Sequence, residues 1–257
     1  MNLPGTPLAC PWRINTPMCT VTFTPRRKGY CLGMNRDEKR TRLTALPPAI
    51  TDVDNHRAVF PHEPSGGTWI AANDAGVCLA LINWHRIERK PRRSALSRGR
   101  VAKALAGKSS TEEIAAGLAG LPLKQLRPFR LITIVPSDKS LTEWRWNLEW
   151  LSARQHPWEA RHWFSSGLDE MKAELERSRV CESAHKQKSP GSLAWLRRLH
   201  RSHSPKQGPF SICMHRSDAA TVSYTELAVS EKRVVMRYKN AAACSKRATT
   251  TKMLPLL

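Results

Sequence analysis

Acidic residues are scarce in this chain: 21 Asp and Glu stand against 42 Lys and Arg in 257 residues, which leaves a formal charge of +21. A field of that sign attracts polyanions. No helix-turn-helix, zinc-finger or aromatic RNA-reading signature accompanies it, so a dedicated nucleic-acid site has little support. No run of about eighteen apolar residues is present, which leaves no membrane-spanning helix. The segment from Met1 to Pro17 has neither the basic start nor the apolar core of a secretory signal. Cysteine pairs are missing too. The seven cysteines, at 10, 19, 31, 78, 181, 213 and 244, are odd in number, widely spaced and form no Cys-x-x-Cys. A disulfide framework or zinc site therefore has little support, no metal is expected, and a reducing cytoplasm fits best. No linker rich in Gly or Ser divides the chain, and its length suffices for one core, which favours a single domain.

What is present begins at Cys19, directly after Met18. If translation starts at Met18 and the initiator is trimmed, Cys19 carries a free α-amine, and one residue holds both nucleophile and base. A thiol is only slightly ionised at neutral pH, whereas an α-amine with pKa about 7.7–8.0 can accept its proton. With Met1 to Pro17 attached, that nitrogen is an amide, so the mechanism requires a start at Met18 or removal of the segment. The alternative is an ordinary buried cysteine opening a strand. The β-branched run after Cys19, the turn Thr24-Pro25-Arg26-Arg27-Lys28-Gly29 and the apolar run from Tyr30 predict a hairpin. Antiparallel pairing then sets residues near 34 to 36 opposite Cys19. The cluster Asn35-Arg36-Asp37-Glu38 falls beside the thiol, where a cation favours thiolate and oxyanion and a carboxylate can orient the arginine or the α-ammonium. A solvated charged turn is the competing reading.

Met-Cys-Thr-Val-Thr-Phe at 18–23, Asn-Arg-Asp-Glu at 35–38, Ser-Gly-Gly-Thr-Trp-Ile-Ala-Ala-Asn at 65–73 and Gly-Val-Cys-Leu-Ala-Leu-Ile-Asn at 76–83 resemble the NRDE family, which contains the transport and Golgi organisation proteins. The likeness continues through Arg127–Leu131, Trp163–Gly167 and Ile212–Ala219 and spans 18 to 244 as one domain. The resemblance implies an α+β fold, a four-layer αββα sandwich similar to N-terminal-nucleophile hydrolases. It also implies the chemistry of cysteine-type amide hydrolases such as bile-salt and penicillin V acylases. By this resemblance Cys19 matches the nucleophile, Arg36 and Asp37 match its flanking arginine and aspartate, and Asn83 corresponds to an asparagine that holds the oxyanion.

Elsewhere, periodicity predicts a second hairpin, Thr68 to Ala72 with Val77 to Ile82, whose apolar last strand expects cover on both faces. Its register brings Asn83 near Gly66 and Gly67, whose exposed N–H groups can wall an anion pocket. Helices are expected over Arg98 to Ala106, after a Ser110–Glu113 capping box, over Asp169 to Arg179 and over Ser192 to His200. Glu182 to Pro190 reads as a loop. Strands are expected over Phe129 to Val135, Ser211 to Met214, Thr221 to Val229 and Val234 to Tyr238, with a frayed tail from Cys244. Trp144 and Trp146 share a strand face and read as core, as do the thiols of Cys31 and Cys78. Arg216 offers a second cation for a carboxylate-bearing substrate, and Asn35 a further binding group. His215 is a candidate haem ligand.

Positive charge gathers in two stretches, Arg86 to Arg100 and Arg197 to Lys206. Two functions follow. One is an amidohydrolase with Cys19 as nucleophile, needing no cofactor and acting on a small amide or acyl substrate. The other, which the positive charge and the resemblance to eukaryotic members of that family imply, is a carrier of haem or acyl-CoA-like and lipid-like anions in the same cleft, with haem as cargo.

Overall fold

Period-two alternation in the first hairpin determines which side chains meet between the sheets. The computed structural model describes residues 18–87 and 95–257; Met1 to Pro17, Cys10 and the basic run Arg89 to Arg93 lie outside the described residues. The chain forms β1 (Cys19–Pro25), β2 (Tyr30–Lys39), β3 (Leu46–Val53), β4 (His56–His62), β5 (Ile70–Asn73) and β6 (Cys78–Asn83). Next come α1 (Gly99–Ala104), α2 (Thr111–Ala119), β7 (Phe129–Val135), β8 (Ser140–Trp146), β9 (Leu151–His156) and β10 (Arg161–Ser165). The last third holds α3 (Glu170–His185), α4 (Leu193–His200), β11 (Ala219–Val229), β12 (Arg233–Lys239) and β13 (Thr250–Pro255).

The strands make two antiparallel sheets, one of six strands in the order β10-β1-β2-β11-β12-β13 and one of seven in the order β3 through β9. Alternate residues Val21, Phe23, Leu32 and Met34 of the first sheet pack against Ile70, Ala80, Ile132 and Ile134 of the second, forming the main core. On the outer face of the seven-stranded sheet, Val101, Leu105, Ile114 and Leu118 of the α1–α2 region cover Leu79, Leu131, Trp144 and Trp146. On the outer face of the six-stranded sheet, Cys181, Trp195, Leu196 and Leu199 of α3 and α4 cover Cys31 and Phe164. Both sheets are thus buried on two faces, which gives the expected αββα layering. Trp144 and Trp146 pack in the core, and Cys31 and Cys78 are buried, as read from the sequence.

Helix starts follow their caps. Ser110 accepts from the Glu113 amide at 3.1 Å, while the Glu113 carboxylate reaches back one residue further than expected, to the Ser109 amide at 2.8 Å. Asp169 and Ser192 cap α3 and α4.

Three expectations are corrected. Helix α3 continues to His185, because Cys181 and Ala184 are drawn into the outer core. Ser211 to Met214 is not a strand; only an isolated bridge joins His215 to Ala220. The expected frayed tail at 245–257 instead carries β13, which pairs with β12 from Arg233–Pro255 to Tyr238–Thr250 and buries Leu254.

Candidate functional site

In the first hairpin Cys19 pairs directly with Arg36, as the turn and index sum predict. Alternation then sends Cys19, Arg36 and Glu38 toward the space between the sheets, at the end where the apolar core stops. Here lies a cavity of about 300 Å³ whose lining includes Cys19, Arg36, Asp37, Glu38, Arg42, Glu63, Trp69, Asn83, Arg98 and Arg127. Cys19 is 5% exposed. It sits at the boundary of core and cavity.

Arg36 is fixed on three sides. Its guanidinium lies 4.0 Å over the Trp69 ring and forms ion pairs with Glu63 and, at 3.5 Å, with Glu38. Arg42 completes the network, reaching Glu38 at 3.2 Å and Glu63 at 2.6 Å. A cation held this way is a rigid feature of the cavity wall, since both its acidic partners are themselves buried.

Asp37 points the other way. Its carboxylate accepts from Thr221 Oγ1 at 2.6 Å and from Arg177 Nη2 at 3.3 Å, on the side of the sheet covered by α3. The guanidinium expected beside the thiol is that of Arg36; the Asp37 carboxylate, though turned toward α3, bears on the thiol more strongly than Glu38 does. Arg177 also donates to the Cys19 carbonyl at 3.3 Å and to Thr20 Oγ1 at 2.8 Å, tying α3 to the start of β1. The Asp37 amide donates to the Met18 carbonyl at 2.8 Å, so the peptide unit that contains the Cys19 nitrogen is bonded to Asp37. Met18 is wholly buried against Met214 and Ala219.

These surroundings set the ionisation. Burial, reinforced by the Asp37 charge and only partly offset by the Asp37 amide and Arg36, pushes the Cys19 thiol up to about 12. Burial raises Asp37 to about 6 despite the opposing pull of Arg177. Arg98 is lowered to about 10, by burial and then by Arg127, and stays cationic at neutral pH.

The remaining expected residues separate. Asn83 lines the cavity at the end of β6. Gly66 and Gly67 do not: their turn is closed by the Glu63–Gly67 and Gly66–Glu63 backbone bonds, and Gly67 packs against Gly99 of α1, where a Cβ would lie 3.0 Å from the Gly99 backbone. Asn35 faces the helical layer, donating to the His200 and Ile212 carbonyls at 2.9 and 2.8 Å. Arg216 pairs with Asp218 at 2.7 Å and lies outside the lining of this cavity. His215 lines a second cavity, of about 400 Å³, which shares Arg36, Glu38 and Arg42 with the first. Sequence reasoning missed Glu63, Arg42, Trp69 and Arg98 as site residues. Trp69 stands inside the Ser-Gly-Gly-Thr-Trp motif and Arg42 follows Glu38 by four; Glu63 and Arg98 carry no local signal. In the second basic stretch, Arg197 is neutralised by Glu226 through two bonds of 2.7 Å.

The comparisons agree with this architecture. Residues 18–188 match the family described as Transport and Golgi organisation 2. The chain belongs to that family. No curated protein matches it. Among solved structures it is similar to an arginine-to-leucine variant of conjugated bile acid hydrolase from Clostridium perfringens, with a TM-score of 0.54, 7% identity and 92% of each chain covered. A cysteine-to-alanine variant of the same hydrolase gives a TM-score of 0.52 at 8% identity, covering 93% of this chain and 92% of that one. Penicillin V acylase from Agrobacterium tumefaciens gives 0.50 at 11% identity, covering 92% and 86%. The fold is thus that of the N-terminal-nucleophile hydrolases.

Proposed function

We propose that the protein is a cysteine amidohydrolase acting on a small non-peptide amide or acyl substrate, with Cys19 as nucleophile once the Met18–Cys19 bond is cut. The observation that carries this reading is the register pairing of Cys19 with Arg36 at the wall of a cavity. In the proposed reaction the freed α-amine takes the thiol proton as sulfur attacks the carbonyl carbon. Negative charge builds on the carbonyl oxygen, where Arg36 and Asn83 stabilise it. Collapse breaks the C–N bond, the α-ammonium returns its proton to the leaving amine, and water hydrolyses the thioester to release the acid. Asp37, whose amide holds the residue-18 carbonyl and whose charge is felt at the thiol, is assigned the task of orienting the α-ammonium. Arg98 and Arg127, which form no ion pair with a carboxylate among the described residues, suit a substrate with an anionic group.

A second reading, a carrier of haem or acyl-CoA-like anions, is favoured by the same two cations and by the charge of +21. The test is intact mass and N-terminal sequencing of the protein from its own host, then reaction with an electrophilic amide or β-lactam probe. The expected result is a Cys19 N-terminus and a covalent adduct on the wild type that Cys19→Ala lacks. An intact Met18–Cys19 bond, or equal labelling of both proteins, refutes hydrolysis. Saturable haemin binding that Cys19→Ala retains, with no adduct, selects the carrier.

A further inference from the structure

Away from the cleft, four metal-binding side chains from three irregular segments meet. His203 follows α4, Cys213 and His215 precede β11, and Cys244 lies between β12 and β13; their ligand atoms all lie within 4.8 Å of one another. His215 Nε2 is 3.2 Å from His203 Nε2, 3.6 Å from Cys213 Sγ and 3.5 Å from Cys244 Sγ. A tetrahedral zinc ion with Zn–N about 2.05 Å and Zn–S about 2.3 Å has N···N edges of about 3.3 Å and N···S edges of about 3.6 Å. The three separations fall on those edges to within about 0.2 Å.

We propose that His203, Cys213, His215 and Cys244 form a closed, four-coordinate structural site for zinc. Four protein ligands leave no open position, which separates a structural from a catalytic ion. Two thiols each lose a proton to solvent on binding, and the two thiolates with two neutral imidazoles bring the site to zero net charge. That neutrality suits the setting, since Cys213 is fully buried.

The fold gives the ion something to hold. Between α4 and β11 the chain carries no helix or strand beyond the single His215–Ala220 bridge, and a long irregular link inside a packed domain needs an organising contact. Backbone bonds already aim the ligands: the Cys213 amide donates to the Ser202 carbonyl at 3.0 Å and the His215 amide to the Gly208 carbonyl at 3.2 Å. On the other side Arg201 donates to the Ala243 carbonyl at 3.1 Å and Lys239 Nζ to the Ser245 carbonyl at 2.6 Å, flanking Cys244. The metal would then cross-link the end of α4 to the β12–β13 connection. Sequence spacing gave no sign of it, because Cys213-x-His215 has one partner upstream and the other downstream, unlike the paired knuckles of zinc ribbons. The same geometry places His215 as a zinc ligand and removes it from haem.

The test uses the full-length, reduced chain. Titration with Co²⁺ is expected to give tetrahedral d–d bands and a thiolate-to-metal charge-transfer band that saturate at one equivalent and vanish on adding Zn²⁺. Protein purified without added metal should contain one zinc per chain, falling at least tenfold in the double variant Cys213→Ser with Cys244→Ser and in His203→Asn. Should those variants fail to fold, alkylation of wild-type Cys213 and Cys244 decides, since bound zinc slows it and a chelator restores it. A Co²⁺ complex without a charge-transfer band, zinc content unchanged in the variants, or a Cys213–Cys244 disulfide in protein kept reduced overturns the site.

Discussion

Arg177 is the point where the outer helical layer takes hold of β1, the strand that opens with Cys19, and replacing it gives a sharp test of the electrostatics. Its side chain is fully buried, pairs with a fully buried Asp37 and hydrogen-bonds Thr20 and the Cys19 carbonyl. Arg177→Met removes the cation and leaves a buried carboxylate without its charge partner, a change that costs about 3–5 kcal/mol. The pH dependence carries the diagnosis. Asp37 is raised from 3.8 to about 6, so the folded state binds its proton more tightly than the unfolded state does. Stability from this group is therefore greatest below pH 3.8 and declines by about 3 kcal/mol as pH rises through about 6. Without Arg177, whose charge and hydrogen bond both lower Asp37, the carboxyl rises further and the decline continues to higher pH at about 1.4 kcal/mol per unit. The variant should thus lose more stability relative to wild type at pH 8 than at pH 5. Urea unfolding at both values measures this. Adding Asp37→Asn, which keeps the Thr221 hydrogen bond but carries no charge, should recover stability and flatten the difference. Equal penalties at the two pH values, or no recovery in the double variant, would refute the assigned pairing.

Two further outcomes follow from the same reasoning. Burial raises Glu143, but hydrogen bonds and charge from Arg145 and Arg130 outweigh it and hold the carboxyl at about 2, so its stabilisation is present above pH 4.5 and lost as pH falls toward about 2. Glu143→Gln should cost about 3 kcal/mol at neutral pH and progressively less in acid, read as converging urea midpoints; a constant offset contradicts it. Gly29 closes the first hairpin at φ +92°, and a Cβ there would lie 2.0 Å from the Val229 carbonyl oxygen. Gly29→Ala should lower stability by about 2–3 kcal/mol, with an unchanged midpoint as the refuting result.

The parts of this fold legible in the sequence are those where one chemical signal dominates. The first hairpin has a Pro/Gly turn between β-branched and apolar runs, and its register follows from counting; Phe129 to Val135 is apolar enough to name a buried strand outright. Strands β3 and β9 went unseen because they are largely exposed and show no period-two alternation. Within the site, counting residues places Arg36 opposite Cys19, but alternation also dictates that Asp37 face away, which a reading of the Asn-Arg-Asp-Glu motif as one cluster overlooks. Glu63 reaches Arg36 only through the stacking of the two sheets, so no local pattern announces it. The expected role of Gly66 and Gly67 fails for a related reason: a paired glycine permits close approach, and what approaches here is α1 rather than a ligand.

The state of the Cys19 thiol decides what the cleft can do. A thiol that burial pushes up to about 12 is almost wholly protonated at pH 7, so nucleophilic attack cannot draw on a standing thiolate. Arg36 does little to change that, because its charge is shared with Glu63 and Glu38. The carboxylates of the cavity wall are engaged with arginines, and Asp37 is turned toward α3. The proton acceptor left within the same residue is the Cys19 nitrogen. While Met18 is attached that nitrogen is an amide without basicity, and the proposed mechanism lacks the base that activates the sulfur. Cutting one peptide bond turns the nitrogen into an amine whose pKa lies near the working pH. On the proposed mechanism, binder and hydrolase are therefore the same fold on either side of a single cleavage, and the N-terminal residue of the mature chain separates them.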